Sequence, residues 1–450
     1  MCLHRIGTIR VTFAAALAVT LATVAACGDD GTTDSSSPAA GEAGHDDGDV
    51  VTLTFESYNY GTEGVGGEGT QQLIDEFEAT HPNIRIEPAG TPAGEIHTSV
   101  HAQAAAGNPP DVAQIGWSKF GFVLENLPYV PLDEVAPADE LEAHLDGMYP
   151  AAVQLGMHDD RLAGLAYSVS TPTMFVNADL FIEAGLDPED PPSTWADAEE
   201  AAHAIVEQTG AQGIYVDAAG EAKSDFLTQT LINSNGGRLV GEDGSLQLDE
   251  PPAVEALAML GDLTDSGAQP PVGESEAVAM FEAGELGMLV SSTALLGGFA
   301  ASTDGVFELE TAGLPAFDGQ QIAPTVSGAG VFVFADDPAK QEAAWEFVRF
   351  LTGDDGFTIL ASVIGYLPLR PALIDDPAYL GEFFADDDRL LPTIEQLDSL
   401  VPYQVLPGEN SQQALELMQD SAVAPIMISG ADPDSTLTDV AARVRELLGQ

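Results

Sequence analysis

From residue 51 the chain alternates in a way few folds accept. The strand-like "VVTLTF" leads into a helix-patterned run with Leu73, Ile74 and Phe77 on one face, and "HPN" then ends the helix before a second strand, "NIRIEPAG". A third strand, "PDVAQIG", follows "AAAGNPP". Strand, helix, strand in this order is the start of a parallel α/β sheet, whose ligands sit beyond the carboxyl ends of the strands. The glycine-rich "YNYGTEGVGGEGT" (residues 58–70) and "GWSKFG" (116–121) therefore share one rim.

The glycine run raises the question of a nucleotide. A phosphate-cradling loop of the P-loop kind needs a Lys and a Ser or Thr after its last glycine, but Glu68 stands inside the run and no lysine precedes Lys119. "GVGGEG" overlaps the dinucleotide fingerprint only in part. The run reads either as a turn into a helix N-terminus or as a contact to a polar ligand through backbone N–H groups.

Residues 1–26 form a targeting segment: Arg5 and Arg10 precede the uncharged "VTFAAALAVTLATVAA". Its end, "VAAC", resembles the lipobox of bacterial lipoproteins, which predicts cleavage before Cys27 and lipid attachment to it. The other cysteine, Cys2, lies in the removed segment, so a mature chain would have no disulfide, zinc thiolate or cysteine nucleophile. Residues 27–49, rich in Gly, Ser, Asp and Ala without an aromatic, read as a disordered tether.

The rest exceeds what one hydrophobic core usually serves, so two lobes are expected, and 45% hydrophobic residues can fill both. With 13 basic against 73 acidic residues the formal charge is -60, which excludes the basic patch that a nucleic-acid partner requires and disfavours anionic membranes. Such a surface suits a salt-rich exterior.

Beyond the first sheet, "YSVSTPTMFVN" is a strand interrupted by Pro172 and reads as an edge or a crossover. Helices are expected at "STWADAEEAAHAIVEQTG", "KSDFLTQTLINSNGG", "PPAVEALAMLGDLTDSG" and "DDPAKQEAAWEFVRFLTGDDG", the last opening on Asp-Pro with Phe347, Phe350 and Leu351 inward.

Catalytic motifs are missing at the level of spacing. His97 and His101 are four apart but lack the zincin glutamate, and read as a solvated helix face. The acid clusters at 385–389 and 432–439 lack EF-hand spacing. A nucleophile elbow fails at Phe120, where its second glycine belongs. A glycosidase needs only two close carboxylates, so an exported hydrolase stays an alternative. What remains are aromatic, amide and hydroxyl groups at strand ends: Tyr58, Asn59, Tyr60, Trp117 with Ser118 beside it, Ser170, Thr171, Gln229, Ser292 and Tyr366. Aromatic faces among small hydrogen-bonding groups suit polyols, and Trp117, between glycines, is the expected stacking platform.

Taken together, "YSVSTPTMFVNADLFIEAGLDPEDPPSTWADAEEAA", "AVAMFEAGELGMLVSSTALL", "SGAGVFVF" and "AAWEFVRFLTGDDGFTILASVIGYLPLRPAL" resemble family 1 extracellular solute-binding proteins of ABC importers, in order and from residue 50 onward. The resemblance implies a two-lobed α/β fold of the periplasmic-binding-protein type (class II) that closes on a solute as a jaw, with a multi-crossing hinge. It places crossings at "YSVSTP", at "LVSSTALL" and near "LTGDDG", giving one lobe of residues 50–167 and 294–352 and another of 168–293 and 353–450. It further implies a monomeric, non-enzymatic receptor without cofactor, lipid-anchored on the outer face of the cell membrane, handing its solute to permease subunits driven by a separate ATPase.

"STPTMFVNADLFIEAGLDPEDPP" and "IGYLPLR" are similar to the glycerol-3-phosphate and glycerophosphodiester binders of that family. By that likeness Ser170, Ser292, Gly328 and Tyr366 line the cleft. Trp117 stands where those relatives carry an acid, and Gln404 where they carry a phosphate-binding arginine, with no Arg or Lys between Arg389 and Arg443. A phosphate desolvated without a cation is costly, so the expectation is a neutral carbohydrate, with a glycerol phosphate as the alternative. Arg370, beside "GYLPL", would restore the phosphate reading if it pointed into the cleft.

Overall fold

The computed structural model describes residues 50–220 and 225–450. The targeting segment, Cys27 and the tether lie outside the described residues, as do Lys223 and Ser224 of the expected "KSDF" helix, which begins at Phe226.

The strands are β1 (Val51–Ser57), β2 (Ile84–Gly90), β3 (Val112–Gly116), the short pair β4 (Met157–His158) and β5 (Arg161–Leu162), β6 (Leu165–Ser170), β7 (Pro172–Asn177), β8 (Gln212–Val216), β9 (Leu286–Ser292), β10 (Leu309–Ala312) and β11 (Ser327–Val333). They build a five-stranded sheet of order β2-β1-β3-β11-β6 and a four-stranded sheet of order β10-β7-β9-β8. Each sheet is the centre of one lobe. In the first, β1, β2 and β3 run parallel, as the βαβ pattern predicts, while β11 runs antiparallel to both β3 and β6.

Helix α1 (Val65–Thr80) buries Leu73, Ile74 and Phe77 against the first sheet. Phe77 meets Phe347 of the helix Pro338–Leu351 at 4.9 Å, and Phe347 meets Phe55 of β1 edge-on at 5.1 Å. Asp337 caps that helix by accepting from the amides of Ala339 and Lys340, which bears out the Asp-Pro start. In the second lobe Phe175 of β7 packs edge-on against Phe299 at 4.9 Å.

The crossings differ in part from the expectation. "YSVSTP" does cross: β6 is the edge of the first sheet, β7 is an inner strand of the second, and Thr171 alone separates them. Pro172 is tolerated because it opens β7, where no ladder bond is needed from its nitrogen. After Ser292, however, the chain does not return. Residues 294–312 stay with the second sheet because β10 pairs antiparallel with β7 and Phe299 fills that lobe's core, so the return comes between β10 and β11. The third crossing also falls later than "LTGDDG". Leu369 still accepts from the amide of Tyr149 in the first lobe, whereas Arg389 accepts from Thr311 and Thr393 bonds Thr173 in the second.

Of the two histidines of α2 (Ile96–Ala105), His101 is exposed as expected of a solvated face, but His97 is buried, and both rings meet Phe122 edge-on, at 4.9 Å for His97 and 5.7 Å for His101.

Candidate functional site

The glycine run is explained by packing. A Cβ at Gly67 would sit 2.1 Å from the carbonyl oxygen of Thr62, and one at Gly69 would sit 2.4 Å from Cγ1 of Ile364. Ile364 ends a π-helical turn, Leu360–Ile364, closed by Gly365 at φ 95°, with the amides of Gly365 and Tyr366 both donating to the carbonyl of Leu360. The bare flank of α1 thus lets this turn come down and deliver Tyr366 beside the end of β1.

There the phenol of Tyr366 faces Asn59, Tyr58 and Ser168. The Tyr58 hydroxyl lies 3.3 Å from Oγ of Ser168, which accepts from Nε2 of Gln114 at 2.8 Å, and Oε1 of Gln114 accepts from Ser57 Oγ at 2.6 Å. Burial holds the Tyr58 and Tyr366 phenols above their ordinary value, so both stay protonated. The result is an uncharged cluster of donors and acceptors at the carboxyl ends of β1, β3 and β6. Gln114 and Ser168 were not singled out in the sequence. The available signal was a glutamine within the otherwise apolar "VAQIG", where burial makes an amide costly unless it is used.

Ser170, Thr171 and Ser292 gather at the crossing between the lobes. Ser292 Oγ donates to Ser170 Oγ at 2.8 Å, the amide of Thr293 donates to the carbonyl of Thr171 at 3.1 Å, and Oγ1 of the fully buried Thr171 has no partner among the described residues. Gly328 adopts φ 86° in β11, opposite Val169.

Trp117, Gln229 and Gln404 serve the scaffold, while Ser118 and Tyr60 lie apart from this cluster. Trp117 is not an exposed platform: it is 1% exposed, packed edge-on against Phe120 at 5.4 Å and over Gly330. Ser118 is half-buried in the turn after β3, and Tyr60 lines a surface hollow with Gln71, Gln72 and Asp75 of α1. Gln229 and Gln404 bind each other: Nε2 of Gln229 donates to the carbonyl of Gln404 and the amide of Gln404 donates to Oε1 of Gln229, both at 2.9 Å. The rest of the Gln404 amide is spent on the backbone of Leu239 and Val240 and on Asn233.

Arg370 does not supply a cleft cation. Its guanidinium donates to the carbonyls of Thr352 (3.0 Å) and His144 (2.9 Å) and to Nδ1 of His144 (2.9 Å), all within the first lobe. An arginine only donates, so Nδ1 is the acceptor nitrogen and Nε2–H donates to Thr352 Oγ1 at 2.8 Å. Burial, then Arg370, lowers His144 to about 3, against an ordinary 6.5. The unfolded chain therefore takes up this proton first, and stability present above pH 6.5 is lost as pH falls toward 3. Melting followed from about pH 6.5 to 5, above most carboxylate titration, should show a falling Tm, and a shallower fall in His144→Gln. An unchanged slope would contradict this.

A buried cation that no motif in the sequence marks is Lys119, in the turn after β3. It is 5% exposed, and its Nζ donates to Oε1 of Gln412 at 2.7 Å. Burial lowers its pKa while Asp225 and Glu416 oppose that shift. Asp225, itself fully buried, accepts from Tyr403 and from Gln229 Nε2, and burial raises its carboxyl.

Among the described residues no group of His, Cys, Asp and Glu could hold a metal, and no helix is long and apolar enough to cross a membrane.

Two lobes on separate sheets are joined by crossings, with an uncharged polar cluster at strand ends of the first lobe, the build of a two-domain binding protein. The chain belongs to the bacterial extracellular solute-binding protein family, which matches residues 60–356, and is a solute-binding protein of an ABC importer. Among curated proteins it is similar to the sn-glycerol-3-phosphate-binding periplasmic protein UgpB of Rhizobium meliloti strain 1021, 25% identical over 84% of this chain and 90% of that one. UgpB of Escherichia coli K12 is 26% identical over 73% and 77%. Similar solved structures include the cyclic alpha-maltosyl-1,6-maltose binding protein of Arthrobacter globiformis, at TM-score 0.76 and 24% identity, covering 88% of this chain and 99% of that one. UgpB of Mycobacterium tuberculosis in complex with glycerophosphocholine also superposes at TM-score 0.76, with 20% identity over 88% and 98%.

Proposed function

We propose that this receptor captures a neutral carbohydrate, a mono- or oligosaccharide, and presents it to permease subunits from the outer face of the membrane, to which Cys27 anchors it. The observation that carries the reading is the uncharged set of Tyr58, Asn59 and Tyr366, held from beneath by the fully buried Gln114 and Ser168, with Arg370 committed elsewhere. Such groups match hydroxyls, which both donate and accept, and they leave a phosphate without a counter-charge. Capture is a population shift toward the closed form, and the chemistry ends there: the protein acts as a monomer and turns nothing over.

A glycerol phosphate or glycerophosphodiester is the second reading. The UgpB relatives favour it, as does Lys119, the buried ammonium in the turn after β3. Against it stand Asp225 and Glu416, which already offset that charge.

The test is thermal melting against maltose, trehalose, xylo- and cello-oligosaccharides, glycerol-3-phosphate and glycerophosphocholine. Saturation at a hundred times Kd adds about 2.7 kcal/mol, a shift of a few degrees. A sugar should shift Tm, and Tyr366→Phe or Tyr58→Phe should weaken that sugar about fivefold to tenfold, the worth of one hydrogen bond. A shift with phosphate compounds alone would overturn the carbohydrate reading, and cleavage of a chromogenic glycoside would overturn the receptor reading.

A further inference from the structure

The hydroxyls beneath the two phenols form a chain whose hydrogen-bond direction is fixed at one end. Ser57 Oγ, at the carboxyl end of β1, accepts from the backbone amides of Asn59 at 3.1 Å and Tyr60 at 3.3 Å. Its lone pairs are thereby engaged, and its own proton goes to the Gln114 side chain at 2.6 Å. Only the oxygen of a side-chain amide accepts, so Oε1 faces Ser57 and Nε2 must face Ser168, to which it donates at 2.8 Å. Gln114 and Ser168 are fully buried, so neither turns to water instead.

The direction carries outward. Ser168 Oγ already accepts from Gln114 and has a proton to give; the Tyr58 hydroxyl lies 3.3 Å away, and the Tyr366 phenol stands beside both. A phenol oxygen that accepts from below still has its own proton to donate. Passed along Ser168, Tyr58 and Tyr366, this leaves one hydroxyl proton without an acceptor inside the cluster. A second unspent donor adjoins it. Nδ2 of Asn59, a residue only 8% exposed, stands beside the Tyr366 phenol but meets no acceptor within hydrogen-bond geometry among the described residues.

We infer that Gln114 is a positioning residue that sets the direction of this chain, and that the seat formed by Tyr366 and Asn59 takes an oxygen that can only accept, the ring or glycosidic oxygen of the sugar. The acetal oxygen rests on the carbohydrate reading above; the direction of the chain does not. A phosphodiester oxygen shares the acceptor chemistry, and the panel of sugars and glycerol phosphates separates the two sources.

Neutron diffraction from crystals of the deuterated protein, with no solute added, reads the direction without any variant. The Ser57 deuteron should lie toward Gln114 Oε1 and a Gln114 amide deuteron toward Ser168, while the Tyr58 and Tyr366 deuterons point away from Ser168. A Ser168 deuteron donated to Gln114, or a Tyr58 deuteron donated to Ser168, would overturn the inference.

Gln114→Glu and Gln114→Leu carry the test to binding. An ionised carboxylate only accepts, so Ser57 and Ser168 would both donate to it and the chain would run backward. Protonated, the same carboxyl accepts from Ser57 and donates to Ser168, which restores the native direction, and burial lifts its pKa above the usual value of about 4.3. The titratable neighbours hold still between pH 8 and 5: burial keeps the phenols of Tyr58, Tyr167 and Tyr366 protonated. Glu56 of β1 lies on the other face of the sheet, where Thr91 and Gln103 donate to it, and β3, β6, β11 and the turn Leu360–Tyr366 carry no charged side chain. Calorimetric titration with maltose, and with glycerophosphocholine as the phosphate arm, compares each variant with wild type at the same pH. Gln114→Leu should bind about tenfold more weakly at both pH values, and Gln114→Glu should recover most of that loss at pH 5. Gln114→Glu as weak as Gln114→Leu at both, or Gln114→Leu unimpaired, would overturn the inference. If neither solute binds, the neutron result alone decides, so failure of the chain and failure of the carbohydrate reading are told apart.

Discussion

Gly328→Ala should be among the most damaging single-methyl changes in the protein, removing about 3 kcal/mol or more of stability, or folding altogether. Two causes add. The backbone holds φ 86°, where a side chain is strained, and a Cβ built there would lie 1.8 Å from the carbonyl oxygen of Ser168. That oxygen belongs to the strand that crosses to the other lobe, so it cannot retreat without disturbing Ser170 and Thr171. Gly298→Ala is the control, because it lies in a helix with nothing within 4 Å of its added methyl and should be neutral or slightly stabilising. Urea unfolding of the pair measures the difference, and equal midpoints would refute the account of Gly328.

Trp117→Ala should cost about 3–5 kcal/mol, the usual price of emptying a large aromatic site in a core. Its indole fills the space over Gly330, whose own Cβ would be 2.8 Å from Cη2 of the ring. Trp117→Phe should recover much of that stability. Affinity for a sugar, corrected for the folded fraction, should stay within about twofold in Trp117→Phe, while Tyr366→Phe loses more with little loss of stability. If Trp117→Phe instead abolished binding with its Tm intact, the indole would be a ligand platform after all.

Much of the architecture was legible because strand and helix periods are local. The βαβ start, the Asp-Pro helix cap and the Pro172 crossing each follow from a few consecutive residues. The second and third crossings were not legible, because "LVSSTALL" carries no sign that β10 will pair back onto β7. That pairing is decided by distant residues. At the site, Tyr58, Asn59 and Tyr366 were picked for their chemistry and are brought together, although their meeting depends on Gly69 and Ile364, far apart in the chain. Trp117, Gln229 and Gln404 carry the same chemical signature but face inward. Composition cannot separate an amide that greets a ligand from one that ties down a loop, and Lys119 was overlooked for the complementary reason: its partner lies 293 positions away.

The single residue between β6 and β7 also fixes what this chain can vary. Side chains alternate faces along a strand, so one residue inserted at Thr171 would turn β7 over and exchange the layer of Met174 and Val176 with that of Thr173 and Phe175, all four of them buried and fitted to different neighbours. The connection from β10 to β11 has no such constraint, and residues 318–321 are exposed. Length can therefore drift on one side of the hinge while the other stays locked in phase, like a ruler clamped at one mark.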